Sequence, residues 1–246
     1  MILNKLFSPK GLSKASSGSE ISERCATSGV VIQEVHKPID INTNLSARSL
    51  VKNVHGDIVI KNCSTEGAEI SNTHGNVLIN GDAVSSTRIK SISGGVSILA
   101  PESVCNVFTE TVHGHNGIAS PEIISVTMDA THGTAALKAI TLKDIDISSV
   151  HNPVVIDARQ LQKLENVSVS TTHGDLLVVF DPQREQETRE FVSQIKFQSV
   201  HGRIAMIPKE PDVGFEAIGV DETSYQQTKA LPSQPLRLEH PDNPFN

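Results

Sequence analysis

The chain has 246 residues, 37% of them hydrophobic and only 3% aromatic, no tryptophan and a net charge of -7. So few rings would serve an ordinary globular core poorly, but they suit a narrow interior lined by Val, Ile, Leu and small residues. The acidic balance and the lack of a basic stripe exclude a nonspecific nucleic-acid partner. No stretch reaches the roughly 18 apolar residues of a transmembrane segment.

Residues 1–29 read as a flexible N-terminal tail. Lys5, Lys10 and Lys14 precede any acid, a Ser-rich run follows, and no apolar core of a secretory signal is present. A basic, acid-free start also has the character of an organelle transit peptide. The location expected is therefore cytoplasmic, with a mitochondrial or other organellar address as the alternative. Cys25, Cys63 and Cys105 form no CxxC pair, and an odd, scattered set gives no disulfide framework, in keeping with a reducing compartment.

Val30-Val31-Ile32 is expected to open the first strand. From there a unit recurs, clearest as Val54-His55-Gly56-Asp57-Ile58-Val59-Ile60. Its bend falls at His36, His55, His74, Ser93, His113, His132, His151, His173 and His201, at intervals of 19, 19, 19, 20, 19, 19, 22 and 28. A period near 19 is too short for paired helices, so short strands and corners must make each lap. Three and five residues after the bend lie apolar pairs such as Ile39/Ile41, Ile58/Ile60, Val77/Ile79 and Leu176/Val178, weak only at Asn116/Ile118 and Ala135/Leu137. A second stripe falls four residues before it: Ile32, Val51, Ile70, Ile89, Met128, Ile147, Val169 and Phe197, with Thr109 the exception. Period-two alternation of β-branched types marks strands. The fold expected is all-β: a single-chain parallel β-solenoid (β-helix) of about nine coils over 30–208, with flexible tails.

Pro38 and Pro153 follow the bend where a strand can begin, and Pro101 and Pro121 suit corners, because proline cannot donate to a ladder. The long last interval brings in the polar run Gln183-Arg184-Glu185-Gln186-Glu187-Thr188-Arg189-Glu190, expected to project as a loop or short helix. Beyond Pro208 the pattern fades. Residues 209–246 read as a C-terminal cap, through Phe215 and Ile218, followed by a disordered acidic tail.

Eight of the ten histidines share one repeat position. A row of imidazoles about 4.8 Å apart could offer pairs to a metal. The row is continuous, however, and the column two residues on (Pro38, Asp57, Asn76, Gly95, His115, Thr134, Pro153, Asp175, Arg203) completes no ligand set. His36, His55, His74, His113, His132, His151, His173 and His201 are therefore read as a structural ladder, with no catalytic, cofactor-binding or metal residues and no cofactor. Histidine is expected to bond backbone groups at the bend, which the following glycine sharpens. Close imidazoles resist becoming a row of imidazolium ions, so strand signal should fall in mild acid. Whether the rings face inward is not readable, because the bend resets the alternation.

No column of acids, Arg and Lys of the kind β-helix hydrolases use is visible. Ser93 reads as a drifted ladder position, and His115 as an exposed extra histidine. The chain is not expected to be an enzyme.

The aliphatic/Thr-x-Gly-[Asp/Asn]-aliphatic-x-aliphatic unit, best kept at Val54 to Ile60 and at Thr172-His173-Gly174-Asp175-Leu176-Leu177-Val178, resembles the adhesin-like β-solenoid domain family over roughly residues 35 to 207. That resemblance implies a repeat scaffold and adhesion, with histidine standing where the family more often has Ser or Asn. A second resemblance is to bactofilin-like cytoskeletal proteins, which polymerise end to end. The function expected is a non-enzymatic scaffold or protein-binding module, using the faces of the rod or the run 183–190 to hold a protein partner. The alternatives are self-association through the solenoid ends and, further off, a metal-binding protein or β-helix enzyme.

Overall fold

The computed structural model describes residues 20–21 and 29–209. Successive laps stack in parallel, like residue over like. A front sheet of ten strands runs through Glu20–Ile21, Ile39–Ile41, Ile58–Lys61, Val77–Asn80, Val96–Leu99, Asn116–Ala119, Ala135–Lys138, Val154–Asp157, Leu176–Phe180 and Ile204–Pro208. A back sheet holds the strands that lead into each bend, among them Leu50–His55, Glu69–His74, Arg88–Ser93, Ser103–His113, Glu122–His132, Thr141–Ser149, Lys163–Thr171 and Lys196–Ser199. Register follows the repeat without slippage, as in Ile58 beside Val77 and His55 beside His74. Nine bends give eight complete turns between the first and the last. Strand Glu20–Ile21 lies inside the stretch read as a flexible tail, yet pairs with Asp40–Ile41. The rest of that tail, Cys25 and the predicted cap and acidic tail from 210 onward lie outside the described residues.

Both apolar stripes point inward. Ile39, Ile58, Val77 and Val96 form one buried column, and Val51, Ile70, Ile89, Met128 and Ile147 another. Each fully buried aliphatic side chain contributes on the order of 2 kcal/mol. The two exceptions in the stripes find each other: Asn116 Nδ2 donates to Thr109 Oγ1 at 2.8 Å across the core. Both are fully buried, so the pair supplies the partner that a lone polar group there would lack.

A second kink sits seven residues before each bend from the second to the eighth. Arg48, Gly67, Ser86, Asn106, Ser125, Asp144 and Asn166 all adopt positive φ, between 48° and 74°. This left-handed step turns the chain from a short side ladder, such as Thr65–Glu66 and Ala83–Ser85, onto the back sheet. Asn and Asp tolerate that conformation best among residues with a side chain, and three of the seven are of those types. Pro38 and Pro153 immediately precede their strands, as the missing donor requires.

The extra residues of the last interval form a 3₁₀ turn, Pro182–Arg184, and helix α1, Glu185–Gln194. The Asp181 carboxylate accepts from Gln183 N at 2.9 Å and starts the turn. Arg184 reaches back to the carbonyls of Arg159 and Leu161, at 2.9 and 2.5 Å, and ties the turn to the lap beneath. Val192 and Ile195 bury against the core, and Phe191 packs at its edge. The predicted projection is therefore a helix that runs four residues past the polar run, with one face docked. At the last lap Ile204, Ala205, Met206 and Ile207 are only half-buried. Among the described residues no helix is long and apolar enough to cross a membrane.

Candidate functional site

The bend edge carries the most regular side-chain array on the molecule. Each strand reaches it with its inward and outward positions set by strand parity. Residues four and two before the bend face the core, while the residue just before it and the histidine itself both face solvent. All eight predicted ladder histidines come together in one outward row. His36, His55 and His74 stack with ring centroids 5.3 and 4.9 Å apart. His113, His132, His151, His173 and His201 continue at 4.9, 4.6, 5.5 and 5.0 Å. Rings are parallel within 4° to 8°, and Ser93 interrupts the row between His74 and His113. His115 is exposed and lies two residues off it.

The histidines do not close the bend, contrary to the sequence expectation. At five of the nine bends that work falls to the polar residue two positions earlier, whose side chain points inward under the turn. Asn53 Nδ2 donates to the carbonyls of Lys37 and Gly56, both at 3.0 Å, and Asn72 Nδ2 donates to Gly56 O at 3.0 Å. Ser149 donates to Asn152 O at 2.8 Å. At the eighth and ninth bends a chain of bonds runs across two laps. Gly202 N–H donates to Ser199 Oγ at 2.6 Å, Ser199 shares a bond with Thr171 Oγ1 at 2.8 Å, and Thr171 donates to Gly174 O at 2.6 Å. Histidine cannot join because its ring has left the core side by that point.

The acids and amides after the glycine have a separate task. Asp57 accepts from Asn76 N at 2.7 Å, Asn76 from Gly95 N at 2.9 Å, and Asp175 from Arg203 N at 3.0 Å. Each joins its lap to the next above. Gly75, Gly94 and Gly114 hold φ of 130° to 149°, and a side chain on any of them would strike the glycine carbonyl of the lap before.

Two properties define what this edge can do. In-plane lone pairs of parallel rings run side by side instead of converging on one point. Among the described residues no group of three or more His, Cys, Asp and Glu gathers as metal ligands. Beside the imidazoles runs a second solvent-facing column, Val35, Val54, Thr73, Ile92, Val112, Thr131, Val150, Thr172 and Val200, whose members are exposed or half-buried. Four of these are exposed large hydrophobics, with Ile92 50% and Val200 68% accessible. Their spacing is that of the rungs, so the edge offers a straight strip of aliphatic and threonine side chains flanked by flat imidazole rings.

The outer face of the back sheet is polar. Lys90 pairs with Glu110 at 2.5 Å, and Asp129 follows on the next lap. Partial burial, then the neighbouring Glu110 and Asp146, raise the Asp129 carboxyl above its ordinary range, while Lys90 opposes them. Cys63 is buried and Cys105 half-buried, both as free thiols. Burial, reinforced by Asp82, pushes the Cys63 thiol up to about 11. No protein-family model, curated protein or solved structure matches the chain.

Proposed function

We propose that the protein is a non-enzymatic, adhesin-like β-solenoid scaffold that holds a protein partner along its bend edge. The observation carrying this reading is the exposed aliphatic column, Val35, Val54, Ile92 and Val200, set beside the imidazole row. Apolar side chains repeated on one straight strip mark interaction surfaces. The predicted alternative surface, the run 183–190, offers less: its exposed side presents Glu185, Glu187 and Glu190, and its apolar side is docked on the core. Capture from native lysate with the full chain tests the reading. A partner retained by the unmodified protein should be lost from Val54→Asp/Ile92→Asp and kept by Glu187→Ala. Retention by all three moves the interface elsewhere.

A second reading, end-to-end self-assembly as in bactofilin-like proteins, is favoured by the half-buried last lap, where Ile204 and Met206 lack the cover that the same columns enjoy inside the rod. Light scattering on the full chain separates the two. Mass that grows with concentration and falls with Ile204→Asp supports assembly, whereas a monomer throughout removes it.

A further inference from the structure

The imidazole row is broken once, and the break has the dimensions of a ring. Ser93 pairs with His74 on the lap before and with His113 on the lap after, so those two rings stand two rungs apart, about 9.6 Å at the usual strand spacing. Each has one face taken, His74 by His55 and His113 by His132, both at 4.9 Å. Their other faces turn toward the rung of Ser93, whose short side chain stands where a ring would. A ring placed midway would lie about 4.8 Å from either neighbour, within the roughly 4.5–7 Å of aromatic pairs. That is also the spacing of the stacks already present, 4.6 to 5.5 Å. We propose that this notch is a docking slot for one aromatic side chain of a protein partner, entering between His74 and His113. The inference rests on the bend-edge reading given above and names what the partner must bring to that edge.

Three features choose this occupant. The first is the chemistry of the walls: two unpaired imidazole faces on opposite sides of one rung are matched by a flat π system, which can lie against both at once. The second is the mouth. Ile92, next to Ser93 on the aliphatic strip, is 50% accessible, against 38% for Val54, which has the His55 ring beside it. A ring entering the notch therefore also gains an aliphatic contact. The third is the floor. Gly94 and Gly95 follow Ser93, so no side chain after the bend reaches into the gap. Gly94 holds φ of 149°, and a Cβ there would strike the Gly75 carbonyl, which keeps the floor bare. A buried aromatic side chain covers about 150–250 Å², far less than a stable interface needs. The slot is thus the anchor of an interface that the flanking aliphatic strip completes, in the way aromatic anchors seated in pockets dominate protein contacts.

The test uses the full chain and three blocked amino acids as probes: the N-acetyl amides of tryptophan, leucine and arginine. Titration is followed by NMR at the histidine ring protons and the Ile92 methyls. The tryptophan probe should saturate on the order of millimolar, as befits a fragment of that size. Its shifts at His74, His113 and Ile92 should be at least about threefold larger than at His151 and His173, because ring contact acts over a few ångströms. Ser93→His fills the slot and should abolish the local shifts, whereas Ser93→Ala leaves it open and should keep them. Equal shifts along the whole row overturn the proposal, as does an equal response to the leucine or arginine probe. Shifts that persist in Ser93→His, or vanish in Ser93→Ala, overturn it too. Should Ser93→His disturb the circular dichroism, the contrast between the tryptophan and leucine probes on the unmodified chain decides. The probes need no partner, so this outcome is separate from that of the capture experiment. A partner lost from Val54→Asp/Ile92→Asp yet kept by Ser93→His leaves the bend-edge reading standing and removes the slot from it.

Discussion

Thr111 and Thr171 occupy the same column, two residues before a bend, three laps apart. Both are buried, yet their hydroxyls differ. Thr171 Oγ1 donates to Gly174 O at 2.6 Å and bonds Ser199 at 2.8 Å. Thr111 Oγ1 is buried with no hydrogen-bond partner among the described residues. Thr→Val keeps the shape and removes the hydroxyl, so the same substitution should have opposite signs at the two sites. At Thr171 two bonds of about 1 kcal/mol each are lost and a methyl worth about 0.8 kcal/mol is buried, a net loss of roughly 1–2 kcal/mol. At Thr111 the change removes an unsatisfied hydroxyl, whose burial penalty is about 1–3 kcal/mol, so stability should rise by about 1 kcal/mol. Urea unfolding followed by circular dichroism reads both, provided the slope with denaturant stays constant. Midpoints that move the same way in the two variants refute the account of this column as the hydrogen-bonding layer of the bends.

Gly133→Ala should unfold the central laps, because a Cβ there meets the Gly114 carbonyl with no room to shift; a midpoint within about 1 kcal/mol of the parent would show that adjacent bends can part. Asp157→Asn leaves the Arg159 guanidinium buried beside a neutral amide, and a loss of about 3 kcal/mol is expected in the same assay; a loss under about 1 kcal/mol would mean the pair is not truly sealed. The Cys63 thiol, pushed from 9.0 up to about 11, favours the neutral form in the folded state. Its contribution is therefore whole below pH 9 and is lost as pH rises toward 11, so alkaline unfolding should lose part of its slope in Cys63→Ala. An unaltered slope would place the thiol in water. Ser93→His inserts a ring between His74 and His113 and should add about 0.5 kcal/mol by continuing the stack, read in the same urea assay. An unchanged or lower midpoint would argue against direct stacking.

The lap length, both core stripes, the strand-leading prolines and the place of the insertion were legible because each is a periodic signal or a break in one, whereas the docking of one helix face on the core was not. Histidine orientation was not, since a bend removes the parity that fixes inside from outside. The bond-making column under the bends went unread for a different reason. Asn53, Asn72, Ser149 and Thr171 make the bonds but share no single residue type, and the column is broken by Ala130 and by the unbonded Ser91 and Thr111, whereas histidine is conspicuous. The seven positive-φ positions hid likewise, because Arg48, Ser86 and Ser125 are not residues that announce a left-handed step. Thr109 and Asn116 each stood out as an exception to its stripe, but only folding brings two residues on either side of a bend face to face across the core. The burial of Lys138 could not be read either, since Lys61 stands exposed at the same repeat position.

In-register stacking makes this rod's length a discrete variable. Removing or adding a few residues inside a lap would shear every column above it, whereas excising a whole lap at equivalent residues rejoins identical surfaces. Growth or trimming of such a molecule is thus expected in quanta of one repeat, with surplus residues tolerated only where they can leave the wall altogether, as they do at α1.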